Sequence, residues 1–278
     1  MSRLIATLID VGWGDSILLE SQDSLGETRY GLIDSNDTAT LRSSYIFLRR
    51  FFERKKISIP AVNRVFDWVL LTHAHADHGQ GLKRILKEFG TNRFWYPDPV
   101  AKPTFFADLL RYAAKPQNGR VGQCDLIHTN RILPQFGSAS MDVLWPTQGL
   151  RPSNENDNSV VLTATLGSVC FVFTGDAEAD GVWSKIASQI PSTTCFFKVP
   201  HHGSDNGTFD SAGKAPWLKY LPKNARVAIS SHISPFKHPS PKVVNALNAF
   251  AATYRTDEHY HVRIETDGSS VDVTYSHL

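Results

Sequence analysis

One run constrains this chain more than any other: Phe66-Asp-Trp-Val-Leu-Leu-Thr-His-Ala-His-Ala-Asp-His-Gly-Gln-Gly81. Its opening residues, Trp68, Val69, Leu70 and Leu71, form an apolar run too short for a helix and suited to a buried strand. His73, His75, Asp77 and His78 follow with no intervening turn. Side chains two apart at a strand end face one side, so His73 and His75 offer imidazoles to one ion. Asp77 and His78 sit where the chain bends into Gly79-Gln80-Gly81, ahead of a helix expected over 82–89, and can serve a second ion nearby. Imidazole with carboxylate is a ligand set for zinc, manganese or iron rather than calcium. The plain alternative is a polar loop with accidental histidines. Four ligating side chains within six residues argue against it.

Three further places carry chemistry. Asp176, in Val172-Phe-Thr-Gly-Asp-Ala-Glu178, follows a buried strand and precedes an expected helix. It can bridge two metals, or it can cap that helix with Glu178 adding to the favourable dipole. Lys198-Val-Pro-His-His-Gly-Ser204 places His201 and His202 after another apolar strand. Adjacent side chains of an extended chain point to opposite sides, so one of the two is expected to bind metal directly. His238, in Phe236-Lys-His-Pro-Ser-Pro241, precedes a helix and is a candidate last ligand or leaving-group acid. His128, His232, His259, His261 and His277 have no ligand-like context.

Thr72-His-Ala-His-Ala-Asp-His78 resembles the HxHxDH signature of the metallo-β-lactamase superfamily. Four other segments narrow the likeness: Asp10-Val-Gly-Trp-Gly-Asp15, Asn156-Asp-Asn-Ser159, Thr174-Gly-Asp-Ala-Glu178 and Val199-Pro-His-His-Gly-Ser204. As an ordered set they resemble the hydrolase domain of ComEC-type competence proteins, and phosphorylcholine esterases of cell-wall enzymes share a similar pattern. The resemblance implies an α/β fold, an αββα sandwich of two mixed sheets flanked by helices, with one or two metals at one edge. It implies two divalent ions, zinc or manganese. His73, His75 and His202 would hold one, Asp77, His78 and His238 the other, and Asp176 would bridge them. Asp10, Trp13, Asp15, Asn158 and His201 would shape the floor or contact substrate. Trp13 stands where that branch usually has glutamine, Ser240 replaces a second histidine of a His-Pro-His-Pro pattern, and an upstream asparagine is missing. These departures lie on the expected substrate side and leave the metal ligands intact.

The remainder of the chain fits that outline. Its 278 residues are within the range of one two-sheet domain, expected to span 1–278. Three short strands with Gly and Asp turns open it as an antiparallel meander, followed by a helix over 41–55. Further helices are expected over 104–114, 177–189 and 242–252, and a hairpin around Asp267-Gly268 closes the chain; 115–135 is the least legible stretch. A net charge of +2 is too small to imply a strong nucleic-acid or membrane field, so any basic surface is local. Arg49, Arg50, Arg54, Lys55 and Lys56 form the one evident cluster, read first as the solvated face of a helix. Cys124, Cys170 and Cys195 include no CxxC pair, and Cys170 and Cys195 lie in apolar runs, which suits buried thiols in a reducing compartment. No stretch approaches the ~20 apolar residues of a membrane span, and the start lacks a signal-peptide pattern, giving a cytoplasmic expectation.

The expected activity is that of a two-metal phosphodiesterase, a nuclease with DNA as the first substrate. Asp77 and His238 are the catalytic candidates and no serine or cysteine nucleophile is required. A small-molecule phosphodiesterase acting on a cyclic nucleotide or a phosphorylcholine-type ester is the nearest rival. A metal-stabilised binding protein without turnover is the rival from another class, and lactam or thioester hydrolysis is a fourth, weaker reading.

Overall fold

The computed structural model describes residues 1–57, 59, 64–115 and 119–276. His277 lies outside them. Six strands come first: β1 (Arg3–Leu8), β2 (Ile17–Gln22), β3 (Thr28–Ile33), β4 (Phe66–Leu70), β5 (Thr91–Tyr96) and β6 (Val121–Leu126). A second group follows, β7 (Ser140–Trp145), β8 (Val161–Leu166), β9 (Val169–Phe173), β10 (Thr194–Lys198), β11 (Arg226–Ile229) and β12 (Ala252–Arg255). The closing hairpin, β13 (His261–Thr266) and β14 (Val271–Ser276), returns to the first sheet beside β1. The eight-stranded sheet runs β14-β13-β1-β2-β3-β4-β5-β6 and the six-stranded one β12-β11-β10-β9-β8-β7. Both sheets are mixed: β3 to β6 pair in parallel beyond an antiparallel meander, and β9 to β12 pair in parallel beyond an antiparallel β7–β8–β9.

Alternation along the strands sorts the core into layers. Leu4, Ala6 and Leu8 face inward with Leu162, Phe171 and Phe173 of the second sheet in one buried cluster. The intervening positions of the first sheet, Leu18, Leu32 and Val69, face outward and meet Phe47, Leu48 and Phe52 of α1 (Ser43–Arg54). Beyond a four-residue turn, α2 (Ala76–Gly79), the same outer layer holds α3 (Leu82–Phe89) and α4 (Thr104–Ala113). The second sheet is covered by Trp183, Trp217 and Leu247. The result is helix, sheet, sheet, helix.

The sequence reading differs from the structure at three elements. The helix expected over 177–189 is a wide turn at Ala179–Trp183 followed by two short turns, Ser184–Ile186 and Ala187–Gln189. Gly181 packs against the Asp157 carboxylate there, and a wide turn keeps that backbone close. Strand β6 lies in the illegible stretch; its Gly122-Gln-Cys-Asp run carries little apolar signal, and pairing to β5 at the sheet edge supplies the order. The last helix stops at Asn248, and Ala252–Arg255 becomes strand β12. Cys170 is buried as expected, whereas Cys195 is only half-buried.

Candidate metal centre

The site forms where several strands of both sheets end at one edge. β3 and β4 run in parallel with Ile33 opposite Leu70, so Asp34 emerges beside Leu71 and Thr72. Asp34 accepts from Thr72 N at 2.8 Å and from Thr72 Oγ1 at 2.6 Å, which fixes the start of the histidine run. The chain then turns through α2 and returns His78 Nδ1 to within 2.7 Å of Asp34 Oδ2. Gly14 lies against this turn at φ +95°, where a Cβ would collide with the carbonyl oxygen of Asp77; Asp15 N donates to that same oxygen at 3.3 Å.

Asp176 follows β9 in a turn whose Gly175 has φ +52°. Its N–H donates to Ser159 Oγ at 3.0 Å, and it caps no helix, because the next helical turn starts only after Glu178. Asp176 Oδ2 lies 3.2 Å from His78 Nε2, 3.4 Å from His202 Nε2, and 3.9 Å from both His73 Nε2 and His201 Nε2. One ligand atom each from Asp77, His78, Asp176 and His202 lies within 4.8 Å of all the others. His73 Nε2 stands 3.0 Å from His75 Nδ1, so that pair does share a side, with His73 buried and His75 exposed.

The two later histidines do not alternate across an extended chain. His201 and His202 both occupy the left-handed region, at φ 49° and 53°, a strained conformation for two adjacent non-glycine residues. The bend turns both rings toward Asp176, His201 from the half-buried side and His202 from the buried side. His202 Nε2 approaches His78 Nε2 at 3.3 Å and Asp77 Oδ2 at 3.6 Å. It therefore stands with Asp77 and His78, whereas the resemblance grouped it with His73 and His75. His202 Nδ1 donates to the carbonyl of Ser230 at 2.9 Å, which leaves Nε2 available to a metal. Asp34 does the same for His78.

His238 stands at the rim, half-buried, with Trp13 at 5.8 Å and His201 at 6.0 Å between ring centroids. Trp13 also packs on His202 and Phe236, at 4.7 and 4.4 Å. Asp15 is buried within reach of His202 and His78, at 3.6 and 3.8 Å. Two expected residues lie apart from this cluster. Asp10 closes its own turn, accepting from Gly12 N, while its N–H donates to His261 Nδ1 at 2.9 Å. Asn158 is buried but donates to Asp98 O and Glu155 Oε1, so it braces a loop.

Charge is concentrated here. For Asp176, burial favours the neutral acid, yet His202, His78 and His201 hold its carboxyl well below the ordinary range. Asp77 is likewise lowered against its burial by His78 and His202. Burial opposes protonation of His202, but Asp176, Asp77 and Asp15 outweigh it and raise the imidazole to about 9. His78 is raised well above 6.5 against its burial by Asp176, Asp34 and Asp77. Burial raises Asp34, with the charge and hydrogen bond of His78 working against that rise. His73 goes the other way, lowered by burial and by the charge on His78. Protons on buried Nε2 atoms stand where a cation would otherwise sit among these carboxylates.

The residues present fit divalent ions. Asp15 Oδ1 and Asp176 Oδ1 are buried with no hydrogen-bond partner among the described residues, and the donors are imidazole and carboxylate. Sequence reading missed Asp34, Lys198 and Glu155. Asp34 looked like a turn former, although a strand-end Asp with φ 57° is a visible oddity once the sheet is known. Lys198 ends an apolar strand with its side chain fully buried, and a buried lysine calls for partners. Its Nζ lies 3.0 Å from Gly175 O and 3.8 Å from Asp176 Oδ1. Glu155 accepts from Ala74 N at 2.8 Å, between the two histidines, and carried no sequence signal.

These layers are those of the metallo-β-lactamase fold. Among solved structures, the long form RNase Z from yeast superposes with a TM-score of 0.52 at 12% identity, covering 91% of this chain and 40% of that one. In sequence, the chain is similar to ComE operon protein 3 of Bacillus subtilis (strain 168), 25% identical over 260 residues and 91% of this chain. The match takes in 32% of that relative, so the chain spans about a third of its length. No family profile matches the sequence. No helix among the described residues is long and apolar enough to cross a membrane.

Proposed function

We propose that this chain is a two-metal phosphodiesterase, and specifically a nuclease with DNA as its first substrate. The observation that carries the reading is the convergence of Asp77, His78, Asp176 and His202 within 4.8 Å, beside the His73–His75 pair. Asp77, His78, His202 and Asp176 would hold one ion; His73 and His75, with Asp176 between the sites, would hold the other. When bound, such ions lower the pKa of a shared water toward neutrality and polarise a phosphoryl oxygen.

The chain's own residues supply the rest. Asp34 and Ser230 fix the imidazoles of His78 and His202 so that both Nε2 atoms face Asp176. Trp13 and Phe236 form an aromatic wall beside His202 on which a base can stack. Burial lowers His238, so its neutral imidazole is the form present at pH 7. From the rim it donates a hydrogen bond to the departing oxygen.

The same wall favours a second reading. Trp13, Phe236 and His238 make a compact aromatic patch that also suits a cyclic nucleotide or a quaternary ammonium ester. One experiment separates these readings. Metal-replete protein is incubated with single-stranded DNA, double-stranded DNA, RNA, cyclic dinucleotides and a phosphorylcholine ester, with manganese and zinc separately. Cleavage of DNA is the expected result. Turnover of only a small ester would overturn the nuclease reading, and no turnover with both metals bound would leave a binding protein.

A further inference from the structure

Outside the metal centre, a trough lies on the outer face of the first sheet, between α1 and the hairpin β13–β14. It has a volume of about 450 Å³, within the ~300–1,000 Å³ of small-molecule sites. Phe47 and Phe51 of α1 line one wall, and Arg263 and Tyr275 of the hairpin line the other. A shallower cavity of about 200 Å³ adjoins it, sharing Phe47 and His261 and reaching Asp10 and Arg50. Register places this chain of cavities relative to the metal edge. Leu8 at the end of β1 faces Val262, and His261 faces Ser276. The N-terminal end of α1 is tied to Asp37, whose carboxylate accepts from Ser44 N and Tyr45 N, close after Asn36, which bonds the Trp13 carbonyl. The shallow cavity thus sits under the Asp10–Asp15 turn that enters the metal site, and the deeper one lies further down α1.

The lining is cationic and aromatic together. Arg49 and Lys55 are engaged by Glu53 and Glu20, at 3.0 and 3.1 Å, whereas Arg50 and Arg54 make no ion pair among the described residues. Both are exposed, Arg54 on the trough and Arg50 on the adjoining cavity. Tyr275 presents its ring from the edge strand at 57% exposure, and Lys55 lies over Phe51 at 5.4 Å. Free guanidinium groups beside an exposed aromatic ring are the means by which single strands are held without sequence preference, phosphates on the cations and a base on the ring.

We propose that this trough is an accessory subsite for a nucleotide of a single-stranded polynucleotide whose chain continues over the Asp10–Asp15 turn to the metal edge. The choice of ligand rests on the nucleic-acid reading above. Arg50 and Arg54 neutralise phosphates, and a base stacks on the exposed ring of Tyr275.

The test uses the full chain in chelator, so that binding is read without cleavage. A fluorescein-labelled oligodeoxyadenylate of about twelve nucleotides is titrated by anisotropy across a salt series. The variant Arg50→Glu/Arg54→Glu is expected to bind about tenfold more weakly, with the salt slope reduced by roughly 1.4 for two lost contacts. Tyr275→Ala is expected to weaken binding several-fold with the slope unchanged. Lys219→Glu/Lys223→Glu, exposed on the other half of the chain, is the charge control and is expected to bind as the parent does. Metal content and melting temperature equal to the parent's show that each variant is folded. Equal affinity in parent, double-Glu and Tyr275 variants overturns the subsite, as does equal weakening in the control. If the trough variants lose binding but the parent cuts no nucleic acid with either metal, the subsite stands and the nuclease reading fails. If DNA is cut and the trough variants bind normally, the reverse holds.

Discussion

Lys198 Nζ lies 2.5 Å from Asp15 Oδ2, with both side chains shut away from solvent. The pair joins the end of β10 to the Trp13–Asp15 turn, and Lys198 also reaches the carbonyl of Gly175 beside Asp176. Removing one partner leaves an uncompensated buried charge, which costs about 3–5 kcal/mol. Lys198→Met is therefore expected to lose stability of that order in denaturant unfolding of the metal-free protein. Asp15→Asn added to it should recover part of the loss, because the orphaned carboxylate is gone. Equal stability of parent and Lys198→Met would mean that the pair contributes nothing.

The grouping of the candidate ligands makes a second expectation. His202 approaches Asp77 and His78, not the His73–His75 pair. Asp77→Ala and His202→Ala should each retain roughly one of two ions, and the double variant should still retain about one. Combining His202→Ala with His75→Ala should empty both positions, while Asp176→Ala should weaken both together. Elemental analysis after gel filtration reads the outcome directly. If Asp77→Ala/His202→Ala loses all metal while His75→Ala/His202→Ala keeps one ion, His202 belongs with His73 and His75 after all.

Protonation gives a third. His202 is raised from 6.5 to about 9 by the carboxylates around it. A raised imidazole contributes stability that is fully present below 6.5 and is lost as pH climbs through about 9. The metal-free chain should therefore lose stability across that window, and His78, raised for the same reason, adds to the slope. Metal must displace these protons to reach Nε2, so binding at pH 7.5 should release protons. Calorimetry in two buffers of different ionisation enthalpy measures the release. A buffer-independent heat would contradict the protonated cluster.

The sequence was most informative where one residue type has few uses. His73, His75, Asp77 and His78 stand out because such a density of ligands at a strand end has little structural purpose, and the structure gathers them at one edge. The opening meander, α1 and the closing hairpin were legible because strand patterns and turn residues agree; α1 and the hairpin fall within two residues of expectation. Residues that act through their neighbours were not legible. Asp34 and Lys198 read as a turn aspartate and a strand-end lysine until parallel pairing brings Thr72 to one and the β9 turn brings Asp176 toward the other. The orientation of His201 and His202 also escaped, because alternation holds only for extended chain and both residues sit at positive φ. The resemblance placed Asp10 at the floor of the site; its side chain accepts from Gly12 N and borders the shallow cavity on the outer face.

Asp34 offers the most specific check on how the site is held. It touches no substrate position, yet its carboxylate binds Thr72 twice and His78 Nδ1 once. Those bonds set the direction of His78 Nε2 toward Asp176, 3.2 Å away. Replacing a partner of this kind typically lowers metal affinity by about 10–100-fold. Asp34→Asn keeps the shape and one acceptor but removes the charge that raises His78. Its expected phenotype is a loss of metal affinity in that range, measured by competition with a chromophoric chelator. Activity should return when metal is supplied in excess, because the ligands and the substrate rim are untouched. Full activity at low metal would show that Asp34 does not orient His78, and loss that excess metal cannot restore would place Asp34 in the chemistry itself.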